Sequence, residues 1–179
     1  MKSTSITSVT YILIGNMLTT YSSIGEGWTA TITAIFGLIL FFIGLNRLKS
    51  FLDDIGQDGV SKLVLAAIIG VIATFLSFIP LAGGIVAKLL ILIAFILQVI
   101  GLLKLKKSET FGETGAAGIS YLLIALMLMV LASFLGILPF VGGTIKSVIS
   151  LIAFMLIPFG WLKVQEAIIE KVEKDFKKD

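Results

Sequence analysis

The side chains that could carry chemistry are few, and they lie within long apolar runs. Two are the amides of Asn16 and Gln98, two are the amines of Lys88 and Lys146, and Pro158 interrupts the last run. An amide in apolar surroundings needs hydrogen-bond partners, because an unpaired polar group is costly there. Gln98 therefore indicates either a hydrogen bond between helices or a site for a polar solute, and both alternatives stay open.

The two amines lie about one helical turn from the start of their runs. A charge within a membrane helix marks a functional site by default. A lysine near the membrane interface can also extend its ammonium group to water. The sequence leaves open whether Lys88 and Lys146 only reach water or form an outward-facing site for an anion or a headgroup.

The first apolar run is unusually polar. Asn16, Thr19, Thr20 and Ser23 fall on one helical face. These side chains either line a small polar cleft or hydrogen-bond to carbonyl groups of their own and neighbouring helices. Near the other end of the chain, Pro158 predicts a helix kink because proline has no backbone N–H to donate.

The chain contains no cysteine and no histidine. Thiolate and imidazole metal sites are thereby excluded, and so is the commonest proton shuttle. Asp53, Asp54 and Asp58 do not follow the spacing of a calcium loop and suggest a solvated connection. We therefore expect no catalytic centre, no metal and no cofactor, and no phosphate loop or nucleic-acid patch is present. The sequence predicts a protein that is not an enzyme.

Composition indicates that lipid surrounds these side chains. Hydrophobic residues make up 58% of the 179 residues and only 14% are charged, with a mean hydropathy of +1.10. Soluble domains carry about a quarter charged residues. The pattern predicts an all-α polytopic membrane protein, since helices satisfy their own backbone in lipid. Six transmembrane helices are predicted, over residues 6–24, 29–48, 61–79, 84–103, 119–138 and 144–162.

An internal repeat relates these helices in pairs. Residues 59–104 match 118–163 at one offset, including Pro80 with Pro139 in two Pro-x-x-Gly-Gly turns. Residues of the first pair match more loosely. The chain thus predicts three parallel helical hairpins in a single membrane domain, with a pseudo-threefold axis along the membrane normal. The hairpins cover about 6–48, 61–104 and 119–163.

The even-numbered helices share a stripe of small residues. Phe41, Gln98 and Ile157 occupy one equivalent position on the stripes of helices two, four and six. Small residues let helices pack closely in lipid. The stripes therefore favour a tightly packed bundle, while the alternative is a central pathway between the three helices. The large side chains Phe41, Ile91 and Ile157 on the stripes argue against an open pore.

Charge predicts the orientation. Of the 14 basic residues, all but Lys88 and Lys146 lie at the termini or in the connections 47–62 and 104–118. Basic residues stay in the cytoplasm, so both termini are expected there. The tail 163–179 is amphipathic and is expected either to lie on the inner leaflet or to dock on a cytoplasmic protein. Its predicted apolar stripe contains Leu162, Ile169, Val172 and Phe176, and Trp161 is expected to anchor the helix at the interface.

Two segments carry a resemblance. The sequence GLNRLK at 44–49, followed after a short polar loop by KLVLAAIIG at 62–70, resembles an uncharacterised family of small prokaryotic multi-pass membrane proteins of unknown function. The resemblance covers two of the three hairpins. It implies a six-helix protein of the prokaryotic inner (plasma) membrane and brings no catalytic residues. The three-hairpin plan is also similar to that of the mitochondrial carriers, whose Pro-x-acidic-x-x-basic signature is missing here.

Two functions follow as hypotheses. The small-residue faces and the charged tail favour a structural or partner-binding membrane subunit, which assembles with itself as a homo-oligomer or with a membrane or cytoplasmic protein. The alternative is a transporter or channel for a small solute or ion, with a site among helices two, four and six. Gln98, Pro158 and the polar first hairpin favour this alternative.

Overall fold

A computed structural model describes residues 2–22, 27–76, 79, 82–135 and 142–176 of the chain. The predicted all-α class is confirmed. Six helices follow in order: α1 (Lys2–Ser22), α2 (Gly27–Lys49), α3 (Asp54–Leu76), α4 (Ala82–Lys107), α5 (Gly112–Leu135) and α6 (Gly142–Phe176). The two Pro-x-x-Gly-Gly turns were predicted at positions that lie mostly outside the described residues, as does the end of the tail.

The six helices form a closed ring. The most extensive contacts join α1 to α2, α3 to α4 and α5 to α6. Smaller contacts join α2 to α3, α4 to α5 and α1 to α6, so every helix touches two neighbours. No other helix pair makes contact among the described residues. The centre of the ring is therefore bordered by side chains of all the helices.

Close backbone contacts hold each pair together. A methyl group added to Gly59 of α3 would lie 2.8 Å from the Gly101 carbonyl oxygen of α4. The same addition to Gly15 of α1 would come 2.5 Å from the Gly37 carbonyl oxygen of α2. Real Cβ atoms do not approach carbonyl oxygens so closely, so glycine is required at these positions. The small-residue stripes thus serve contacts inside the chain.

The outer surface of the ring is apolar. Large side chains such as Phe36, Leu92 and Leu151 are each at least half exposed, which suits a surface that faces lipid. Five of the described helices, α2 to α6, are long and apolar enough to cross a membrane, and they suggest a multi-pass membrane protein. The remaining helix, α1, is less apolar because hydroxyl side chains interrupt it.

The hydroxyl groups of α1 have partners within the helix. Thr10 Oγ1 donates to the Ile6 carbonyl oxygen at 3.1 Å, and Thr20 Oγ1 donates to the Asn16 carbonyl oxygen at 2.8 Å. Such bonds reduce the cost of placing a hydroxyl group in apolar surroundings. This is one of the two arrangements that the sequence left open for the polar residues of α1.

Candidate functional site

A cavity of about 330 Å³ lies inside the ring of helices. Every helix contributes at least one side chain to its wall. The lining residues are Asn16, Thr19, Thr20, Phe41, Leu63, Gln98, Leu102, Leu122, Ala125, Leu126, Met129, Ile157 and Trp161. A cleft or cavity with a mainly apolar wall and a few polar groups is the usual form of a small-molecule site.

The repeat-equivalent residues of the even-numbered helices meet in this wall. Phe41 of α2, Gln98 of α4 and Ile157 of α6 all line the cavity. Leu63 and Leu122, which match each other in the repeat alignment, line it as well. The wall therefore combines equivalent positions that carry different side chains. Of Phe41, Gln98 and Ile157, Gln98 alone is polar, so the three repeats contribute different side chains and the cavity is asymmetric.

The structure brings Asn16 and Gln98 to the same cavity. Both side chains are half-buried, and neither amide hydrogen-bonds to another side chain or to the backbone among the described residues. The sequence suggested for Gln98 a hydrogen bond between helices, and the described residues provide none. Each amide can both donate and accept hydrogen bonds. Two unpaired amides in one apolar cavity are suited to hold a polar group of a solute.

Two hydroxyl groups lie beside Asn16 in the wall. Thr19 Oγ1 donates to the Asn16 carbonyl oxygen at 2.9 Å, and Thr20 Oγ1 donates to the same oxygen at 2.8 Å. Both hydroxyl protons are therefore engaged within α1. The polar face of α1 therefore satisfies its own backbone and also lines the cavity, so the two alternatives for this face occur together.

Trp161 lies in the wall of the cavity, whereas the sequence predicted that it anchors the helix at the membrane interface. The expected interfacial anchor is 2% exposed, and its side chain lines the cavity. Its Nε1 is the buried side-chain polar atom without a hydrogen-bond partner among the described residues. The physical reason is that Trp161 follows Ile157 by four residues and so lies on the same face of α6, which lines the cavity. The repeat gave a usable signal, because Trp161 aligns with Leu102, another lining residue.

The other predicted site residues lie elsewhere. Lys88 and Lys146 are exposed, and neither lines the cavity. Pro158 is half-buried within α6, next to the lining residue Ile157. It cannot donate the helical hydrogen bond to the Phe154 carbonyl group. The cavity thus gathers the two amides, and Pro158 lies in its wall helix, whereas the two amines belong to the outer surface.

A second polar cluster joins the two connections that carry many of the basic residues. The Asp53 carboxylate accepts hydrogen bonds from the Ser108 hydroxyl group and, at 3.2 Å, from the Glu109 backbone N–H. It also accepts at 3.2 Å from the Gly56 N–H and so caps α3. Burial alone would raise the pKa of Asp53, but the hydrogen bonds from Ser108 and the backbone outweigh it and hold this pKa below its usual value.

The expectation that these aspartates form a solvated loop was therefore wrong for Asp53. Contacts between residues more than fifty positions apart leave no periodic pattern in the sequence. The weak available signal was an aspartate within a short polar connection between two helices, where a helix cap is common. The cluster also reaches α6, because Lys171 Nζ donates to Thr110 Oγ1 at 3.4 Å. This arrangement ties two connections and the tail together.

The start of the tail packs on the bundle. Val164, Ala167 and Ile168 are 4% exposed or less, whereas Leu162 of the predicted apolar stripe is 49% exposed. Val172 of the predicted stripe also packs against the core, so this stripe is in part buried on the bundle and in part exposed. A polar recess of about 500 Å³ lies between this part of α6 and the segment 109–114. Docking on a leaflet or on a cytoplasmic protein stays a prediction.

Comparison with known proteins identifies no relative of this chain. No protein-family model, no curated protein and no solved structure matches it. Chemistry must therefore be argued from the site. Among the described residues, the cavity lining contains amides and hydroxyl groups, but no acid, amine or guanidinium. These groups can bind and orient a neutral molecule by hydrogen bonds.

Proposed function

We propose that the chain is a prokaryotic inner-membrane protein of six transmembrane helices, arranged as three hairpin repeats with both termini in the cytoplasm. The ring of paired helices supports this arrangement. The internal hydroxyl bonds of α1 support its inclusion as a sixth span, because they shield its polar groups. The excess of basic residues in the connections and the tail supports the orientation.

Within this architecture we propose a transporter or channel for a small neutral solute. The observation that carries the proposal is the cavity in which Asn16 and Gln98 present unpaired amides. Half-buried amides take hydrogen-bond partners from the protein, from water or from a bound molecule. Two free amides facing one space of about 330 Å³ are explained if a solute supplies the partners. An ion is disfavoured because the described lining residues include no charged side chain that could replace its hydration.

The cavity favours transport over a purely structural role. The membrane-subunit hypothesis rested on small-residue helix faces, scarce polarity within the membrane and the charged amphipathic tail. Gly59, Gly101, Gly118 and Gly160 instead contact the facing helix of their own pair. Assembly into a homo-oligomer or with another protein therefore has less support than solute binding in the ring.

Solute flux through proteoliposomes tests the proposal. Stopped-flow light scattering would follow the entry of small amides and alcohols into vesicles with and without the protein. We expect faster entry with the protein and a severalfold loss of this gain in Asn16→Ala and Gln98→Ala, because each removes an amide of the wall. Asn46→Ala and Gln165→Ala are matched controls, since both remove an amide outside the cavity.

Two results would contradict the proposal. One is a solute permeability that the wild-type protein does not raise for any member of the panel. The other is a flux that stays at the wild-type level in both cavity variants. Equal losses in the cavity variants and in the matched controls would show that amide removal disturbs folding, and the cavity would then have no special role.

A further inference from the structure

The large buried side chains of the ring are concentrated at one end. Each helix contributes one that is 2% exposed or less: Ile12 of α1, Leu45 of α2, Val60 of α3, Leu105 of α4, Ile119 of α5 and Trp161 of α6. We call these six residues the seal. They lie in the half of the ring that carries the connections 50–53 and 108–111, and they fill the interior of that half.

Three glycines mark the level of the seal along the helices. Gly44, Gly101 and Gly160 occupy equivalent positions of α2, α4 and α6, and each packs against the odd-numbered helix of its own pair. Leu45 and Trp161 directly follow two of these glycines. The seal residues of the odd-numbered helices adjoin the same contacts. The seal therefore begins at this level and extends toward the connections.

The cavity lies directly on the seal. Phe41, Gln98 and Ile157 precede the three glycines by three residues each, so they stand about 5 Å further from the connections, at a rise of about 1.5 Å per residue. The lining continues in this direction to Thr19 of α1, whose backbone nitrogen would lie 2.8 Å from a methyl group on Gly37. The cavity thus extends from the seal toward the opposite end of the ring.

That opposite end is packed with smaller side chains. Beyond the level of Ile157, the buried hydrophobic residues in the described part of the chain are all alanines, among them Ala73, Ala87 and Ala132. None of the described residues there combines size and burial as the seal does. The described residues therefore close the cavity at the end of the connections alone.

This packing restricts the route of a solute. Protein interiors are as dense as organic crystals, with few voids larger than a water molecule. A solute that occupies a cavity of about 330 Å³ cannot pass between the seal residues in this arrangement. A channel needs a continuous path, whereas a carrier opens its site to one side of the membrane at a time.

We propose that the protein is a carrier and that the structure is its outward-facing state. In this state a small neutral solute enters from the extracytoplasmic side and binds to Asn16 and Gln98, while the seal separates it from the cytoplasm. Release into the cytoplasm requires a second state in which the seal residues move apart. This inference rests on the proposed function and decides between its two forms, carrier and channel.

Labelling of single cysteines tests access from each side. Thr20→Cys and Met129→Cys place a thiol in the outer part of the cavity wall of this cysteine-free chain. A small, membrane-impermeant methanethiosulfonate is applied to right-side-out and to inside-out vesicles. Both thiols should react from the side on which the exposed Trp28→Cys reacts. From the side of the exposed Glu113→Cys the reaction should be at least about tenfold slower, because a minor state holds about a tenth of the population or less.

Two controls accompany the cavity cysteines. Val164 is 1% exposed and lies three residues beyond Trp161, so Val164→Cys should stay unreactive from both sides. Lys107 is exposed at the end of α4, and Lys107→Cys should react from the side of Glu113→Cys, which shows that the reagent reaches this face. If Val164→Cys fails to fold, the cavity cysteines still decide the question, because each compares two sides of one protein.

Counterflow gives an independent measurement on the wild-type protein. Vesicles loaded with an unlabelled solute take up the radiolabelled form of the same solute, with acetamide and glycerol as the amide and the alcohol. We expect uptake to be several times faster than in vesicles that are not loaded, because bound solute returns a carrier to the outward-facing state. A channel shows no such acceleration.

The outcomes separate this inference from the proposed function. Equal labelling of the cavity cysteines from both sides would reveal a continuous path, and the seal would be wrong while the cavity remains the site of a channel. Faster labelling from the side of Glu113→Cys, or none from either side, overturns extracytoplasmic access. Protein-dependent flux without acceleration by loading overturns the carrier. If the wild-type protein raises no flux at all, the proposed function fails and takes the carrier with it, whichever side the cysteines react from.

Discussion

Gly118 of α5 lies so close to Gly160 of α6 that a methyl group on Gly118 would come within 2.6 Å of the Gly160 carbonyl oxygen. Gly59 and Gly101 form the equivalent contact between α3 and α4. Since lipid provides no hydrophobic drive for helices to associate, such close packing contributes much of the stability of each pair. The ring that encloses the cavity depends on these contacts.

Gly118→Ala should therefore destabilise the protein by about 1–3 kcal/mol, because α5 and α6 must separate to admit the methyl group. The matched control is Gly70→Ala in α3, where the added methyl group meets nothing within 4 Å. That change should be neutral or stabilise by up to about 1 kcal/mol, since alanine favours a helix. Thermal unfolding in mild detergent measures both. Equal effects of the two substitutions would show that the close contact is not required.

The Asp53 cluster predicts a dependence of stability on pH. Asp53→Asn retains a cap for α3 but loses the charge that strengthens the hydrogen bonds from Ser108 and Glu109. We expect a loss of about 1 kcal/mol near neutral pH. Because the folded-state pKa of Asp53 lies below the ordinary value of 3.8, the advantage of the wild type is fully present above that value. It disappears as the pH falls through the lower folded-state pKa.

Unfolding by denaturant across acidic pH checks this expectation. Asp54→Asn is the control, because Asp54 is exposed and lies one residue further along the chain. Its stability difference from the wild type should stay small at every pH. A difference for Asp53→Asn that does not diminish in acid would mean that the carboxylate charge contributes nothing to the cluster.

Much of the fold could be predicted because its signals are local. Long apolar runs predicted the helices, and the match of Gly59 and Gly101 with Gly118 and Gly160 pointed to positions that form equivalent contacts. The contacts between α1 and α2 were harder to predict from the sequence. In this pair, Gly44 of α2 lies against Ser8 and Ile12 of α1 and not against a glycine. The reason is that α1 has no glycine at the position that aligns with Gly59 of α3.

The cavity was predictable only in part. The amide of Gln98 stood out within an apolar run, and its place on the shared stripe pointed to the ring interior. Trp161 was missed because an aromatic residue near a helix end suits both a membrane interface and a protein interior. Its position four residues after Ile157 decides between them, because both side chains then lie on the face of α6 that lines the cavity. Asp53 was missed because its partners lie 55 and 56 residues away.

The orientation leads to a labelling experiment in this cysteine-free chain. Glu113 is exposed near the start of α5, and Trp28 is exposed near the start of α2. If the basic connections are cytoplasmic, Glu113→Cys should react with a membrane-impermeant maleimide only after the cells are permeabilised. Trp28→Cys should react in intact cells. Thr110 is unsuitable as a probe because it is 5% exposed. The reverse pattern at the two sites would invert the proposed topology.

Pro158 connects the wall of the cavity with the movement of a solute. Its ring denies the Phe154 carbonyl group a helical donor, and its neighbours Ile157 and Trp161 line the cavity. A helix lacking this hydrogen bond bends more easily, so the two wall residues can shift together as a solute enters or leaves. Pro158→Ala restores the N–H and should make this part of α6 more rigid.

We therefore expect Pro158→Ala to unfold at the same temperature as the wild type or higher, since alanine favours a helix by about 3 kcal/mol over proline. Solute entry into vesicles should become several times slower, because the wall opens less readily. Phe159→Ala is the control, as Phe159 is 60% exposed on the outer face and should leave flux unchanged. A Pro158→Ala protein that is stable and transports at the wild-type rate would show that the solute passes without bending α6.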